Sequence, residues 1–170
     1  YKTDAIVPKM WGKIIMYHVS TMSLQQAKEI SKWEYPFPYD VYNLPTWNIM
    51  EENGWGITLP ERREKEFRVI TQAGKIVAFF RLSENLSDGN YHLGLGLMPK
   101  FCGAGKGAAI MELILAYARE LGVQKLYLEV RDFNKRAIRC YQKAGFVEVT
   151  RYEKSILDNP CMMIQMLYSF

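Results

Sequence analysis

Three glycines fall within five residues at Gly103-Ala104-Gly105-Lys106-Gly107. An apolar stretch precedes this cluster, and an amphipathic segment follows it directly. Glycine lets the backbone approach a ligand closely, and the exposed N–H groups at the start of a helix point toward an anion. Lys106 adds a positive charge. The pattern favours a phosphate-binding loop, although a plain turn that needs positive φ angles explains the same glycines.

Two phosphate-binding motifs can be compared with this loop. A Walker loop needs Gly-x-x-x-x-Gly-Lys followed by Ser or Thr, but position 107 is Gly and position 100 is Lys, so both ends fail. The dinucleotide fingerprint fits better, since Gly103-x-Gly105-x-x-Ala108 matches its looser form. The residues 99–102 that separate the preceding strand from the first glycine argue against it, as does the short remaining chain. A dinucleotide site therefore stays the alternative.

Two side chains downstream of the loop could move protons. Tyr141 can act as a general acid, because a phenol with a pKa of about 10 stays protonated at neutral pH. Glu129 can act as a general base from the predicted strand that carries it. Each has a structural alternative: Tyr141 can be a buried aromatic of its helix, and Glu129 can be a solvated carboxylate paired with Arg131 or Lys125. His92 is a further titratable residue, and a structural role suits it better.

Two linked segments resemble the GNAT superfamily of N-acetyltransferases. In residues 99–107, Gly105 and Gly107 match the family loop Arg/Gln-x-x-Gly-x-Gly/Ala, with Cys102 in the place of Arg or Gln. The run Asn134-x-x-Ala137-Ile138-x-x-Tyr141-x-x-x-Gly145-Phe146 looks like the family's second coenzyme A motif. One helix and one strand separate the two segments, as in the family. Leu128-Glu129-Val130-Arg131 before that tyrosine is similar to the ribosomal-protein alanine N-acetyltransferase branch.

The resemblance implies transfer of an acetyl group from acetyl-CoA to a primary amine, directly within a ternary complex, without a metal. It implies that Tyr141 protonates the departing sulfur and that Glu129 takes the amine proton, directly or through water. It further implies that Asn134 positions the pantetheine arm or the helix start. The remaining coenzyme-binding residues that it implies are the strand residues Leu97 and Met98 and the loop residues Gly103, Ala104, Gly105, Lys106 and Gly107.

Hydrophobic periodicity predicts the elements that position these residues. The predicted strands are residues 13–19, 66–71, 75–82, 91–98, 125–131, 146–152 and 161–168, and the predicted helices are residues 23–33, 46–54, 107–121 and 134–144. The order β-α-α-β-β-β-α-β-α-β-β predicts an α/β protein with a mixed central sheet flanked by helices. We expect one GNAT-like domain over residues 13–170, and we expect residues 1–12 to form a tail.

Composition narrows the class of protein. The chain has 170 residues, of which 49% are apolar and 24% charged, and this balance excludes disordered, collagen-like and coiled-coil classes. Cys102, Cys140 and Cys161 form no Cys-x-x-Cys pair, so we expect neither a disulfide framework nor a zinc site. We expect a reducing cytoplasmic location. No apolar run approaches the roughly 20 residues of a membrane span, and no signal peptide is visible.

The acceptor cannot be named from the sequence. Residues 33–55 are rich in aromatic side chains interleaved with acids, which suits an ammonium or a peptide N-terminus, although most of these rings can simply pack the core. A peptide N-terminus, a small amine and an aminoglycoside stay open, on a monomer or a homodimer. A non-catalytic acyl-CoA-binding domain is an alternative. A nucleic-acid module is disfavoured, because the net charge of +4 comes from scattered basic residues.

Overall fold

The computed structural model describes residues 3–6, 16–156 and 158–170. The strands are β1 (Thr3–Ile6), β2 (Met16–Thr21), β3 (Phe67–Gln72), β4 (Lys75–Glu84), β5 (Tyr91–Leu97), β6 (Lys125–Arg131), β7 (Val147–Ile156) and β8 (Asn159–Ser169). The helices are α1 (Leu24–Ile30), α2 (Trp47–Glu52), α3 (Pro60–Glu66), α4 (Gly107–Glu120) and α5 (Lys135–Ala144). Strands and helices alternate from β5 to β7, and together they confirm the predicted α/β class.

Local sequence signals explain where the best-defined helices begin and end. A capping box opens α1, in which Gln26 N–H donates to Ser23 Oγ at 3.2 Å and Ser23 N–H donates to Gln26 Oε1 at 2.9 Å. The Asn134 side chain caps α5 by accepting from Ala137 N–H at 3.1 Å. Gly145, with φ 104°, ends α5 in the left-handed conformation that glycine favours.

The chain forms two compact units, and the first contains residues 1–81 and 95–104. Its strands β1, β2, β3 and β4 are neighbours in that order and pair antiparallel. The register places Val19 opposite Ile70 and Val69 opposite Phe79. Because Val69 and Ile70 are consecutive in β3, these two apolar pairs lie on opposite faces of the sheet. The buried cluster of this unit contains Met22, Ala27, Ile30, Trp33, Met50, Ile57, Phe67, Val69 and Ile76.

The second unit contains residues 82–94 and 105–170. Its strands follow the order β5-β6-β8-β7. β5 pairs parallel with β6, whereas β8 pairs antiparallel with both β6 and β7, so the predicted mixed pairing is confirmed. The residues of α4 that are buried are Ile110, Met111, Leu113, Ile114, Leu115 and Ala118. Their spacing is that of one helix face packed on a core.

Some elements differ from the predictions. Helix α3 is absent from the predicted elements. Its residues are mostly charged and Arg63 is its buried residue, so no apolar periodicity indicates a helix there. β7 continues to Ile156, beyond the expected end at Tyr152. Residues 13–15 of the first predicted strand lie outside the described residues.

The predicted tail over residues 1–12 is described in part. Within it, β1 pairs with β2 from Thr3↔Val19 to Ile6↔Met16, and the rest of the segment lies outside the described residues. The domain boundary at residue 13 therefore stays a prediction. Within the described ranges, none of the helices combines the length and apolar character needed to cross a lipid bilayer.

Candidate active site

The glycine cluster forms a turn that leads directly into α4. A short 3-10 turn, Pro99–Phe101, follows β5. Gly103 (φ 79°) and Gly105 (φ 74°) then take the left-handed conformation. Lys106 is the N-cap residue of α4, and within the described part of the chain its side chain makes no capping hydrogen bond to this helix. The first backbone N–H groups of a helix have no partner within the helix, so this end can bind an anion.

Two glycines of the loop are needed for different reasons. A Cβ atom added at Gly105 would meet nothing within 4 Å, so its side faces open space and its φ angle is what requires glycine. A Cβ atom added at Gly107 would lie 2.8 Å from Cys140 Sγ. Gly107 therefore lets the start of α4 approach α5 closely. The open face at Gly105 and the uncapped helix end fit a phosphate group.

Leu97 and Met98 are predicted to pair with a pantetheine arm. Their backbone groups already make hydrogen bonds within the chain. The Leu97 carbonyl accepts from the Tyr35 hydroxyl at 2.8 Å. The Met98 N–H donates to the Val77 carbonyl at 2.9 Å, and the Met98 carbonyl accepts from Phe101 N–H at 2.8 Å. A ligand that pairs with this stretch through the Leu97 carbonyl must therefore compete with Tyr35. Burial raises the pKa of Tyr35, so it remains a hydrogen-bond donor near neutral pH.

Cys102 closes the 3-10 turn in the place where the family pattern has Arg or Gln. Its Sγ atom lies 3.8 Å from the Leu97 carbonyl and 3.8 Å from the Met98 carbonyl. A thiol is a weak donor and carries no side-chain positive charge. At this turn, the groups that could attract an anion are therefore backbone N–H groups and Lys106.

An aromatic cleft lies in the first unit beside the end of β5. It is a small, partly open cleft lined by Trp33, Tyr35, Tyr42, Phe79 and Gly96 together with aliphatic side chains. The indole N–H of Trp33 is buried and has no hydrogen-bond partner among the described residues. The described residues that line this cleft include no acid, so it suits an apolar group better than an ammonium.

Most of the aromatic residues of segment 33–55 pack in the core. Core packing was one of the two interpretations of this segment, and a site for an ammonium was the other. Trp33 belongs to the buried cluster of the first unit, and Tyr35, Trp47 and Trp55 pack against it. Phe37, by contrast, has 86% of its surface exposed.

Glu129 lies on β6 and contacts two side chains of β7. Lys154 Nζ donates to Glu129 Oε2 at 2.7 Å, and the Tyr152 hydroxyl donates to Glu129 Oε1. Partial burial raises the pKa of Glu129, but the hydrogen bonds from Lys154 and Tyr152 and the Lys154 charge outweigh it and lower that pKa overall. Burial and the bond to Glu129 raise the pKa of Tyr152 to about 12. Glu129 is therefore an ionised, doubly hydrogen-bonded carboxylate.

Sequence reasoning missed Lys154 and Tyr152. The structural alternative for Glu129 named Arg131 or Lys125 as its partner, and the structure places Lys154 there instead. Both missed residues lie on β7 two positions apart, which puts them on one face of the strand. The predicted strand ended at Tyr152, so the alternation that could have revealed Lys154 was cut short.

Tyr141 and Asn134 lie on and just before α5, in the same unit as Glu129. Tyr141 is half-buried, and its ring centroid lies 6.1 Å from that of Phe146. Asn134 is occupied as the helix cap, so its side chain has a structural role without any ligand. His92 stacks on Tyr127 with ring centroids 5.7 Å apart, which fits the structural role expected for it.

A model of the acetyltransferase (GNAT) family matches residues 24–146, which include the glycine turn, Glu129 and Tyr141. The chain belongs to the GNAT family. The resemblance inferred from the glycine loop and the Asn134 segment is thus confirmed.

Curated relatives of this GNAT chain match it over part of their length. The [ribosomal protein bS18]-alanine N-acetyltransferase of Escherichia coli strain K12 is 33% identical over 81 residues, which are 48% of this chain and 54% of the relative. The mycothiol acetyltransferase of Propionibacterium freudenreichii is 39% identical over 56 residues, which are 33% of this chain and 18% of the relative. The matched segments thus span about half of the first relative and under a fifth of the second.

Solved structures share the fold. The ribosomal-protein-S18-alanine N-acetyltransferase from Escherichia coli superposes with a TM-score of 0.65 at 24% identity, covering 91% of this chain and 94% of that one. The protein yncA from Salmonella typhimurium, solved with its cofactor acetyl-CoA, gives 0.68 at 14% identity, covering 90% and 93%. This GNAT chain therefore has the α/β fold of the family, with a mixed sheet flanked by helices, as its sequence predicts.

Proposed function

We propose that this GNAT chain transfers an acetyl group from acetyl-CoA to a primary amine, directly within a ternary complex. The observation that carries the proposal is the turn in which Gly103 and Gly105 adopt left-handed conformations and lead into the uncapped start of α4. Relatives named as N-acetyltransferases and a fold neighbour solved with acetyl-CoA support it.

The chain offers one set of residues to hold the donor. The backbone of the loop from Gly103 to Gly107 would hold the pyrophosphate, and Lys106 would add charge. Leu97 and Met98 would contact the pantetheine arm. If the arm donates a hydrogen bond to the Leu97 carbonyl, it would replace the hydrogen bond from the Tyr35 hydroxyl. Asn134 would support this set by fixing the start of α5.

Two side chains would move the protons. Bound acetyl-CoA supplies an activated acetyl thioester. Tyr141 would donate its phenol proton to the departing sulfur, a role that suits a group protonated near neutral pH. Glu129 would accept the proton of the acceptor amine, directly or through water. Because the pKa of Glu129 is lowered, the carboxylate is ionised and ready to accept a hydrogen bond from an ammonium.

The acceptor that we propose is a peptide N-terminus or a small amine. The relative from Escherichia coli is named for an alanine of ribosomal protein bS18, which supports the peptide N-terminus.

One observation favours a second candidate, a non-catalytic acyl-CoA-binding domain. Both carboxylate oxygens of Glu129 already accept hydrogen bonds from the chain's own side chains. If these bonds persist when an acceptor is present, Glu129 cannot serve as the base. Binding without release of free thiol in the presence of amines would support this candidate.

Calorimetric titration with acetyl-CoA, coenzyme A and NAD(H), run in parallel, tests the proposal. Micromolar binding of acetyl-CoA corresponds to about −8 kcal/mol and would identify the donor. A screen of amines for released thiol would then test transfer. Binding of NAD(H) without binding of either coenzyme A compound would overturn the proposal in favour of the dinucleotide alternative.

A pair of glycine variants shows whether the loop is the binding site. Gly105 (φ 74°) and Gly122 (φ 77°) have the same left-handed strain and open surroundings, but Gly122 lies at the other end of α4. Gly105→Val and Gly122→Val should each cost about 1–2 kcal/mol of stability. Gly105→Val alone should abolish acetyl-CoA binding. Equal affinities in the two variants would move the phosphate site elsewhere.

A further inference from the structure

Lys154 places an amine of the chain itself beside Glu129. Its Nζ atom lies 2.7 Å from Glu129 Oε2, and its side chain is 44% exposed. The other groups that act on Glu129 are the Tyr152 hydroxyl, which donates to its second oxygen, and His92, whose charge acts on it from β5. Among these groups, Lys154 is the one that carries a primary amine.

This position is the one that an acceptor amine must take. A general base works within hydrogen-bond reach of the proton that it abstracts, at about 2.6–3.2 Å between heavy atoms or through one water. Under the proposed function, the acceptor nitrogen therefore comes within that reach of Glu129. Lys154 Nζ already satisfies this condition at 2.7 Å.

Around Lys154, the backbone of β7 pairs with β8 alone among the described strands. The pairing of β6 with β8 ends at Arg131↔Met163, whereas Lys154 lies opposite Cys161, beyond that point. At Lys154 the hairpin of β7 and β8 is thus a two-stranded ribbon. Such a ribbon has little independent stability, so a small adjustment of its end costs little free energy.

We propose that Lys154 is an internal acceptor, so that the chain acetylates its own Lys154 when it holds acetyl-CoA and no external amine. This inference rests on the proposed function. It adds a modification site, a lysine ε-amine, to the same chemistry.

The reaction balances without any further reactant. The Lys154 ammonium gives one proton to Glu129, which passes it to water, and the neutral nitrogen attacks the carbonyl carbon of the acetyl thioester. A C–N bond forms, the C–S bond breaks, and the thiolate takes a proton from Tyr141, which recovers one from solvent. The second proton on the nitrogen leaves to water. The products are N-acetyl-Lys154 and free coenzyme A, and no atom is oxidised or reduced.

Peptide mapping of the full chain tests this inference. The protein is incubated with acetyl-CoA without an amine, digested with trypsin and analysed by mass spectrometry. No Lys or Arg follows Lys154, so acetylation there replaces the peptides 152–154 and 155–170 with one uncut peptide, 152–170. We expect one acetyl group on this peptide, with Lys143 labelled far more slowly. Lys143 is the matched control, since it is an exposed lysine of the same unit on α5.

The Glu129→Gln variant separates catalysed from chemical acetylation. Gln keeps the size of the side chain but cannot take a proton, so labelling of Lys154 should slow by about 10²–10⁴-fold while labelling of Lys143 stays the same. Equal labelling of Lys154 and Lys143 in both proteins would overturn the inference. So would an unlabelled Lys154 in a protein that transfers acetyl groups to an external amine, and that result would leave the proposed function intact. A protein that fails to bind acetyl-CoA in calorimetry would overturn both.

Discussion

Glu129 is an example of how neighbours set the chemistry of one side chain. Lys154 and Tyr152 hold both of its oxygens, and they outweigh the effect of partial burial, so the pKa of Glu129 is lowered. A carboxylate with a lowered pKa is a weaker base than an isolated one. Under the proposed function, it would hold the proton of an amine only briefly and pass it to water, a relay that suits a partly exposed residue.

Replacing Lys154 tests the cause of this pKa shift. In Lys154→Met the pKa of Glu129 should rise toward its ordinary value of 4.5, because a hydrogen bond and a positive charge are removed. An NMR titration of the Glu129 carboxyl carbon measures the change. A pKa that does not move would show that the Lys154 contact does not lower it.

The same pair should affect stability in a pH-dependent way. Because the pKa of Glu129 is lower in the folded chain than in the unfolded chain, its ion pair contributes stability above about pH 4.5, and this contribution is lost as pH falls through the folded pKa. Near neutral pH the variant should be less stable than wild type by about 1 kcal/mol or less, since the pair is partly exposed. Denaturation at neutral and acidic pH should show this difference narrowing in acid.

Tyr141 provides a test of the proposed acid. Tyr141→Phe keeps the ring that packs near Phe146 and removes the hydroxyl. Turnover should fall by about 10²–10⁴-fold with little change in acetyl-CoA affinity. Steady-state thiol release and calorimetry measure the two quantities separately, and near-normal turnover would remove Tyr141 from the mechanism.

Among the elements, the start of α4 shows how helix packing constrains the glycine turn. Gly107 faces Cys140 of α5 so closely that even one methyl group would lie 2.8 Å from the sulfur. Burial raises the pKa of Cys140 despite the opposing charge of Lys143, so the thiol stays protonated and behaves as a small packing group. The two glycines thus serve different structural needs, the left-handed turn at Gly105 and the helix contact at Gly107.

A double-mutant cycle measures this helix contact. Gly107→Ala should lower stability by about 1–3 kcal/mol through overpacking, although alanine is the better helix former. Cys140→Ala removes the sulfur, so the double variant should recover most of that loss. Chemical denaturation of the four proteins gives the coupling energy. Simple additivity of the two changes would show that Gly107 and Cys140 do not constrain each other.

For the molecule as a whole, ligand binding should appear as added stability. A ligand that binds the folded chain alone stabilises it by about 2.7 kcal/mol at 100 times its Kd. Acetyl-CoA should therefore raise the Tm of the wild-type chain, whereas NAD(H) should leave it unchanged. Gly105→Val should show no such rise, and Gly122→Val should show it in full. A rise in both variants would contradict the assignment of the loop.

Much of this architecture could be predicted because its signals are local. The capping box at Ser23 lies within four residues, and the alternation of β6 lies within one strand, so β6 was predicted over its observed range Lys125–Arg131. Helix α3 had no such signal, because a mostly charged surface helix has no apolar period.

The candidate site residues also divide into those that a local pattern reveals and those that only the fold brings together. The amino-acid order alone identified the GNAT family, the glycine turn, and Tyr141 and Glu129 as candidates, because a turn, a cap or a motif depends on residues a few positions apart. The partners of these residues came only from the fold: Glu129 meets Lys154 across 25 positions, and Tyr35 meets the Leu97 carbonyl across 62. Strand pairing and core packing bring such residues together, and both depend on how the whole sheet is assembled, so no local pattern reveals them.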